Sequence, residues 1–441
     1  MPYKSLIAIT LLALCTSAFA QETQETQETQ NTWTWKHKLE IRADYRWSDD
    51  EQHRLGFQFP PGFLPPGQTV GFLKTVDPGS HFELNTVELQ LDLGYGDLVT
   101  ARAKVHFNGL HRRNPTSSDR KFDADELFVR VGPNPEFLER PNGTSFFAQA
   151  GKAPHMERQP IRLLESYGVA ATSFNRFEDV QGIVGGSVGR NLYWRLSAAN
   201  GNPLFFRDPN ALAGDNGTPG MRERPPVIDL QSGFPILYNA ETEDLFFRTD
   251  HIQLGQALGY RWQSADQSMG FDIIGFHYRR KMSDREELTG TFYGGDIDIL
   301  DGPFNGGGLP LKGRTKEEYG ARLYSEWGNA TFIAQFTKQG VAGLQREGWE
   351  GELGYSFPLH FAFVESIQPA VRASGLTNRF TGVGAIQPDP AMWWQWTKFD
   401  GGVRIGFRKG LDLTLEGTRH NVGSRFKLHL REYLATVRWR V

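Results

Sequence analysis

From Thr34 to Trp47 the chain alternates without a break. Trp35, His37, Leu39, Ile41, Ala43, Tyr45 and Trp47 fall on one side of an extended backbone, and Lys36, Lys38, Glu40, Arg42, Asp44 and Arg46 fall on the other. Successive side chains of a strand point to opposite faces, so this segment reads as a β-strand between two different environments. A half-buried strand of a soluble sandwich has that pattern. So does a strand of a transmembrane barrel, with lipid on the apolar face, aromatic residues at both interfaces and charges in a watery lumen. Repetition separates the two. Val99, Ala101, Ala103, Val105 and Phe107 alternate with Thr100, Arg102, Lys104 and His106, and Leu192, Trp194, Leu196 and Ala198 with Tyr193, Arg195 and Ser197. Tyr319, Ala321, Leu323 and Trp327 face away from Glu318, Arg322 and Glu326. Tyr433, Ala435, Val437, Trp439 and Val441 oppose Glu432, Thr436, Arg438 and Arg440. Just upstream, Phe426, Leu428 and Leu430 take the other parity, which predicts a β-bulge near Arg431.

Strands of this kind begin near Thr34, His81, Leu98, Phe122, Phe146, Phe177, Asn191, Asp244, Met269, Glu318, Ala330, Trp349, Phe363, Asp400, Leu411 and Arg425. The fold class expected is therefore all-β, a transmembrane antiparallel β-barrel of about 16 strands (16–18). The links alternate in length. Gly94 to Asp97, Gly189-Arg190, Gly328-Asn329 and Arg408 to Gly410 carry the Gly, Asn and Asp of tight hairpins. Between them lie Ser48 to Ser80, Asn108 to Lys121, Lys152 to Arg176, Gly201 to Glu243, Arg280 to Glu317 and Ser374 to Phe399. Short periplasmic turns and long extracellular loops are the layout of outer-membrane barrels. The link from Gly132 to Ser145 is longer than its short-side position predicts, and the sequence offers no account of it.

Composition agrees. With a mean hydropathy of -0.47, the chain has no apolar run long enough for a membrane-spanning helix beyond its first residues, so any spanning falls to strands. Residues 1–20 read as a signal peptide: Lys4, an apolar region from Leu6 to Leu14, and Ala18-Phe19-Ala20 before the cleavage point. Residues 21–33 form a polar periplasmic leader with Gln-Glu-Thr three times over, and residues 34–441 the barrel. The one cysteine, Cys15, lies in the signal, so the mature chain has none, which suits an exported barrel. The 48 Lys and Arg against 51 Asp and Glu leave no basic excess for nucleic acid. The expected partners are the outer-membrane bilayer, the barrel assembly machinery and small hydrophilic solutes.

Several motifs invite sharper readings. Gly185-Gly186-Ser187-Val188-Gly189 matches G-x-S-x-G, but a nucleophile elbow needs a strand turning into a helix, and Asn191 to Ala199 continues as a strand. No catalytic residue is assigned. Asp296, Asp298 and Asp301 cluster on a long loop; calcium favours such oxygens, yet the spacing is not that of an EF-hand and acidic loops are common, so no metal and no cofactor are expected. Trp393, Trp394 and Trp396 suit an interface girdle or, alternatively, a platform for sugars.

By parity the lumen carries Lys36, Lys38, Arg42, Arg46, Arg102, Lys104, Arg130, Arg195, Arg322, Arg372, Arg404, Arg438 and Arg440, against Glu40, Asp44, Glu88, Asp92, Glu126, Asp272, Glu350, Glu352, Asp412 and Glu416. The excess of cations is modest. The third long loop, Lys152 to Arg176, holds Lys152, Arg158, Arg162 and Arg176 against Glu157 and Glu165. That net positive charge predicts folding inward against Glu350, Glu352 and Glu416, with Arg158 and Arg162 setting an anion preference and Arg176 anchoring the return. The expected function is a porin passing small hydrophilic solutes, preferentially anions. The alternatives are an exporter of acidic polysaccharide and an outer-membrane barrel hydrolase.

The stretch from Phe82 to Asn202 resembles the phosphate-selective porin O and P superfamily of Gram-negative outer membranes. The resemblance is carried by FELNTVELQLDLGYGDLVTARAKVHF, by DELFVRVG, by the step Ala150-Gly151-Lys152-Ala153-Pro154, and by Asp179, Gly182, Gly186, Tyr193 and Asn200-Gly201. It implies a sixteen-strand homotrimeric barrel whose third long loop enters the pore. The chain departs in ending on Val441 and in showing no arginine ladder with a loop lysine. Alginate-export barrels are a more distant resemblance.

Overall fold

In the computed structural model the described residues are 32–48, 79–96, 98–108, 122–134, 143–174, 178–201, 252–282, 314–341, 344–361, 363–378, 395–423 and 427–441, with short pieces at 52–58, 66, 70–74, 138, 236–238, 247, 249, 289–292 and 295–298. The signal and residues 21–31 of the leader lie outside them, as do Asp301, Trp393, Trp394 and Arg176, and Trp33 belongs to the first strand rather than to the leader. Sixteen strands run antiparallel around a closed sheet. They are β1 (Trp33–Ser48), β2 (Gly79–Tyr95), β3 (Val99–Asn108), β4 (Phe122–Val131), β5 (Ser145–Pro154), β6 (Glu178–Val188), β7 (Leu192–Ala199) and β8 (Gln253–Gln263). There follow β9 (Met269–Lys281), β10 (Thr315–Trp327), β11 (Ala330–Val341), β12 (Leu344–Tyr355, continued by Phe357–Phe361), β13 (Val364–Asn378), β14 (Gln395–Phe407), β15 (Leu411–Gly423) and β16 (Lys427–Arg440). Each pairs with the next, and β1 closes on β16 from Glu40 opposite Arg440 to Ser48 opposite Glu432. Closure leaves no unpaired edge, the condition for strands in hydrocarbon.

The two-solvent pattern is what the sheet resolves. Leu196, Leu258, Leu353, Val371, Phe399, Leu415 and Val437 point outward and stay exposed, while Arg42, Arg46, Arg322, Arg372 and Lys398 on the opposite phase are buried. Aromatic pairs mark both rims. Trp33–Tyr95 (5.0 Å) and Phe363–Phe407 (5.9 Å) lie at the short-turn end, and Tyr45–Phe82 (4.9 Å), Trp47–Tyr433 (5.5 Å) and Phe107–Phe122 (5.1 Å) at the other. Long links gather on one rim, where only β11 to β12 and β15 to β16 are joined by a few residues, and the link from β4 to β5 is the long one on the opposite rim.

Two sequence expectations are corrected. The register of β15 on β16 runs unbroken from Leu411–Trp439 to Gly423–Lys427, so there is no bulge at Arg431. Arg431 is exposed on the outward phase near the loop rim, where a charge needs no slip. The irregularities lie elsewhere: Arg42 faces Thr86 while Ala43 faces Leu84, and Lys104 faces Glu126 while Val105 faces Ala124. The residues left over, Asn85 and Asp125, are each an added polar group toward the lumen, since both interact with lumen charges. Lastly, Trp396 is in neither a girdle nor an open platform. Its inward phase on β14 buries it, with its indole N–H donating to Nδ1 of His420 at 2.9 Å.

Candidate functional site: a loop held across the lumen

β5 runs through Pro154, so Lys152 belongs to the wall rather than to the loop. At Gly151 the backbone has φ +133, a conformation that glycine adopts readily and L-residues rarely do, and a Cβ there would lie 2.1 Å from the Leu127 carbonyl oxygen. Lys152 then reaches Asp123 at 3.6 Å, and from His155 the chain turns into the barrel.

The segment His155 to Phe174 crosses to the far wall. Its backbone amides meet carboxylates there: Leu163 and Leu164 donate to Oε1 of Glu352 at 2.8 and 2.9 Å, and Glu165 and Ser166 donate to Oε2 of Glu416 at 3.0 and 3.2 Å. Arg372, fully buried on β13, donates to the carbonyl (2.8 Å) and hydroxyl (2.6 Å) of Ser166 and to Asp400 at 2.9 Å. Lys398 reaches the Tyr167 carbonyl at 2.5 Å, and Arg346 that of Ser173 at 2.5 Å. The short helix α1 (Val169–Ser173) ends the crossing, with the Val169 amide on the Ser374 hydroxyl at 3.1 Å.

Apolar sockets complete the docking. Leu163 and Leu164 pack with Tyr324, Ile333 and Ala370, while Met156 packs with Tyr193, Ala257, Ile274, Phe276 and Tyr278, all on the lumen side. Burying two leucines contributes roughly 3–6 kcal/mol. Glycines on inward positions make the room: a Cβ at Gly348 would come within 2.4 Å of Phe174, at Gly354 within 2.9 Å of Leu163, and at Gly402 within 2.8 Å of Leu164. The long link after β4 joins this floor. Leu138 packs against the Leu163 cluster, and Asn134 accepts from Arg195 at 3.3 Å.

Glu352 and Glu416 do receive the loop, but through its amides rather than its arginines. The loop's own acid meets the wall's cations. Glu165 is bound by Arg438, by Arg404 at 3.0 Å and by Arg42 at 3.7 Å, and Thr414 donates to it at 3.3 Å. Burial alone would raise its pKa. Arg438, Arg404, Arg42 and Arg162 outweigh that and hold it at about 2. A depressed acid stabilises above its unfolded value and loses that contribution as pH falls through its folded one, so the docking contribution is complete above about pH 4.5 and fades toward pH 2. Limited proteolysis within residues 155–174 should therefore differ between wild type and Glu165→Gln by the same factor at pH 7 and pH 5, and the difference should shrink below about pH 4.5.

The remaining wall residues divide by partner. Arg102 binds Asp92 at 2.6 Å, Lys104 binds Glu88 at 3.1 Å and Arg322 binds Asp272 at 3.0 Å. Arg195 donates to the Met156 carbonyl at 3.3 Å, and Lys36 and Lys38 are exposed to the lumen. Arg158 binds Glu178 and lies 3.8 Å from Glu126, whereas Arg162 stacks 3.7 Å from the Tyr167 ring centre and donates to the Glu165 carbonyl. A cavity of about 710 Å³ lies against the loop, walled, among the described residues, by fourteen Lys and Arg and nine Asp and Glu. Ser187 sits inside the barrel, its hydroxyl 2.8 Å from that of Ser145, and Gly189 (φ +63) begins a hairpin turn rather than a helix.

No family model matches the chain, and no curated protein matches it. Solved structures do. The outer-membrane channel DcaP of Acinetobacter baumannii superposes with a TM-score of 0.51 at 9% identity, over 95% of this chain and 100% of that one. OprB of Pseudomonas putida gives 0.51 at 7% identity, over 92% and 94%. At such identity the likeness concerns the fold. The molecule is a sixteen-strand β-barrel of the outer membrane.

Proposed function

We infer that the barrel is a porin: a water-filled passage through which small hydrophilic solutes diffuse, with a weak to moderate preference for anions. The observation that carries this reading is the loop docked across a charge-lined lumen, which narrows the passage without an apolar seal and leaves a cavity with more guanidinium and ammonium groups than carboxylates. In so narrow a space each cation acts through a lower dielectric than at an open surface. Arg162 contributes more than Arg158, because among the described residues its guanidinium has no carboxylate within ion-pair distance. No enzymatic step belongs to this reading, since the Ser187 hydroxyl meets Ser145 rather than a histidine base. Export of an acidic polysaccharide would require the docked loop to leave its sockets. Cleavage after Ala20, delivery by the barrel assembly machinery and a homotrimeric state complete the proposal.

Reversal potentials across planar bilayers under a potassium chloride gradient test it. Wild type should reverse on the anion side, and Arg158→Ala with Arg162→Ala should move the potential toward zero. A cation-side potential in wild type would sink the anion preference, and an unchanged double variant would remove these two residues from it.

A further inference from the structure

Arg42 on β1, Arg404 on β14 and Arg438 on β16 come from separate strands, yet their guanidinium groups converge. Arg42 and Arg438 are cross-strand partners, Arg404 faces Thr414, and Thr414 faces Thr436 in the adjoining pairs. The result is a cradle of three forked cations and a hydroxyl, the donor set that matches carboxylate and phosphate oxygens. Its main occupant is a carboxylate from the protein itself, while Arg438 also meets Glu40 through Nε at 3.3 Å. Glu165 takes the Arg438, Arg404 and Thr414 contacts, two of them on one oxygen. Among the described residues Glu165 is also the one carboxylate paired with Arg404.

The same arginines have a second face. Arg42, Arg404, Arg438 and Arg162 all line the 710 Å³ cavity, while Glu165 does not and is nearly wholly buried behind them. A solute anion in the cavity thus reaches the guanidinium groups without first passing Glu165. We propose that Arg42, Arg404, Arg438 and Thr414 form an oxyanion-binding site of the channel, in which Glu165 is a tethered occupant that competes with oxyanions entering from the cavity.

Tethering gives Glu165 a high effective concentration, so a weakly coordinating anion such as chloride does not displace it, and a ligand able to engage two forks does so more readily. The proposal rests on the porin reading and adds which anions the site favours. It also explains a buried acid on a loop that is otherwise held by its amides: the carboxylate keeps the cradle filled when no solute is present.

The test uses the full barrel in planar bilayers at fixed ionic strength, measuring how added inorganic phosphate, or acetate, reduces chloride current. Glu165→Gln keeps the size of the side chain and removes its charge, so half-block by phosphate should need at least tenfold less phosphate than in wild type. A shift with phosphate alone assigns the cradle to tetrahedral oxyanions, and a shift with both assigns it to oxyanions in general. Adding Arg404→Gln to Glu165→Gln should return the block toward the wild-type concentration. If Glu165→Gln does not fold, Glu165→Asp, which draws the carboxylate back, should shift the block in the same direction by a smaller factor. Equal phosphate block in wild type and the Glu165 variant overturns the proposal, and so does a shift that survives Arg404→Gln. An anion-side reversal potential in wild type would stand in either case, so failure here is separable from failure of the porin reading.

Discussion

Replacing Arg372 with methionine should release the constriction loop and raise single-channel conductance severalfold. Methionine keeps much of the length and removes the fork. Arg372 is fully buried and is the guanidinium at the centre of the docking site, with Asp400 at 2.9 Å, Glu352 at 3.8 Å, Glu416 at 3.9 Å, and the carbonyl and hydroxyl of Ser166 around it. Without it three buried carboxylates face one another with Lys398 as the nearest ammonium, 3.1 Å from Asp400. Breaking a buried pair costs about 3–5 kcal/mol because the abandoned charge stays desolvated. That is comparable to the leucine burial that seats the loop, so the loop and not the barrel should give way. Arg440→Met supplies the contrast. Arg440 is over a third exposed, its partners Glu40 and Asp412 are nearer water, and such pairs contribute about 1 kcal/mol or less. Equal conductance in the two variants would show that the loop stays docked without Arg372.

The barrel was legible because lipid and water impose opposite demands on alternate residues, and that signal survives strand by strand. Predicted starts such as Phe122, Met269, Ala330 and Leu411 coincide with the strands found, and the start predicted at Asp244 lies outside the described residues. Parity also put Arg42, Arg102, Arg322, Arg372 and Arg404 inside, where they are.

What parity could not supply is what the inward side chains touch. Alternation labels Ile274, Phe276 and Ile333 as inward apolar residues, but only the loop explains why a wet lumen tolerates them. Gly348, Gly354 and Gly402 are weak strand positions on a shared inward phase, a sign in the sequence that something large packs above them. The charge argument for the loop had the correct acids, Glu352 and Glu416, and missed that backbone amides are cheaper partners for them than mobile arginines. The added residues Asn85 and Asp125 escaped notice because a single insertion leaves the apolar alternation intact on either side.

The strictest test of inside against outside is an arginine placed on each face. Leu196 is about half exposed on the outward face of β7, between Val184 and Gln256 on the neighbouring strands, the face that the two-solvent reading turns to hydrocarbon. Arginine there should destabilise the barrel by roughly 2–4 kcal/mol if the site is near mid-membrane, and Val105→Arg should act similarly. Thr100 lies on the lumen phase close to the short-turn rim, opposite Gly94 and Arg130, so Thr100→Arg adds a hydrated charge and should be nearly neutral. Ser197 is not an equivalent control, although it too faces inward. Its hydroxyl lies where a Cβ on Gly255 would be 2.3 Å away, beside the Tyr278 ring, so arginine there overpacks and should cost about 1–3 kcal/mol for a steric reason unrelated to lipid. Urea unfolding in lipid vesicles, followed by tryptophan fluorescence, gives the order expected: Thr100→Arg near wild type, Ser197→Arg lower, Leu196→Arg lowest. Should Leu196→Arg and Thr100→Arg unfold together, the outward face does not meet lipid and the two-solvent reading of every strand falls with it.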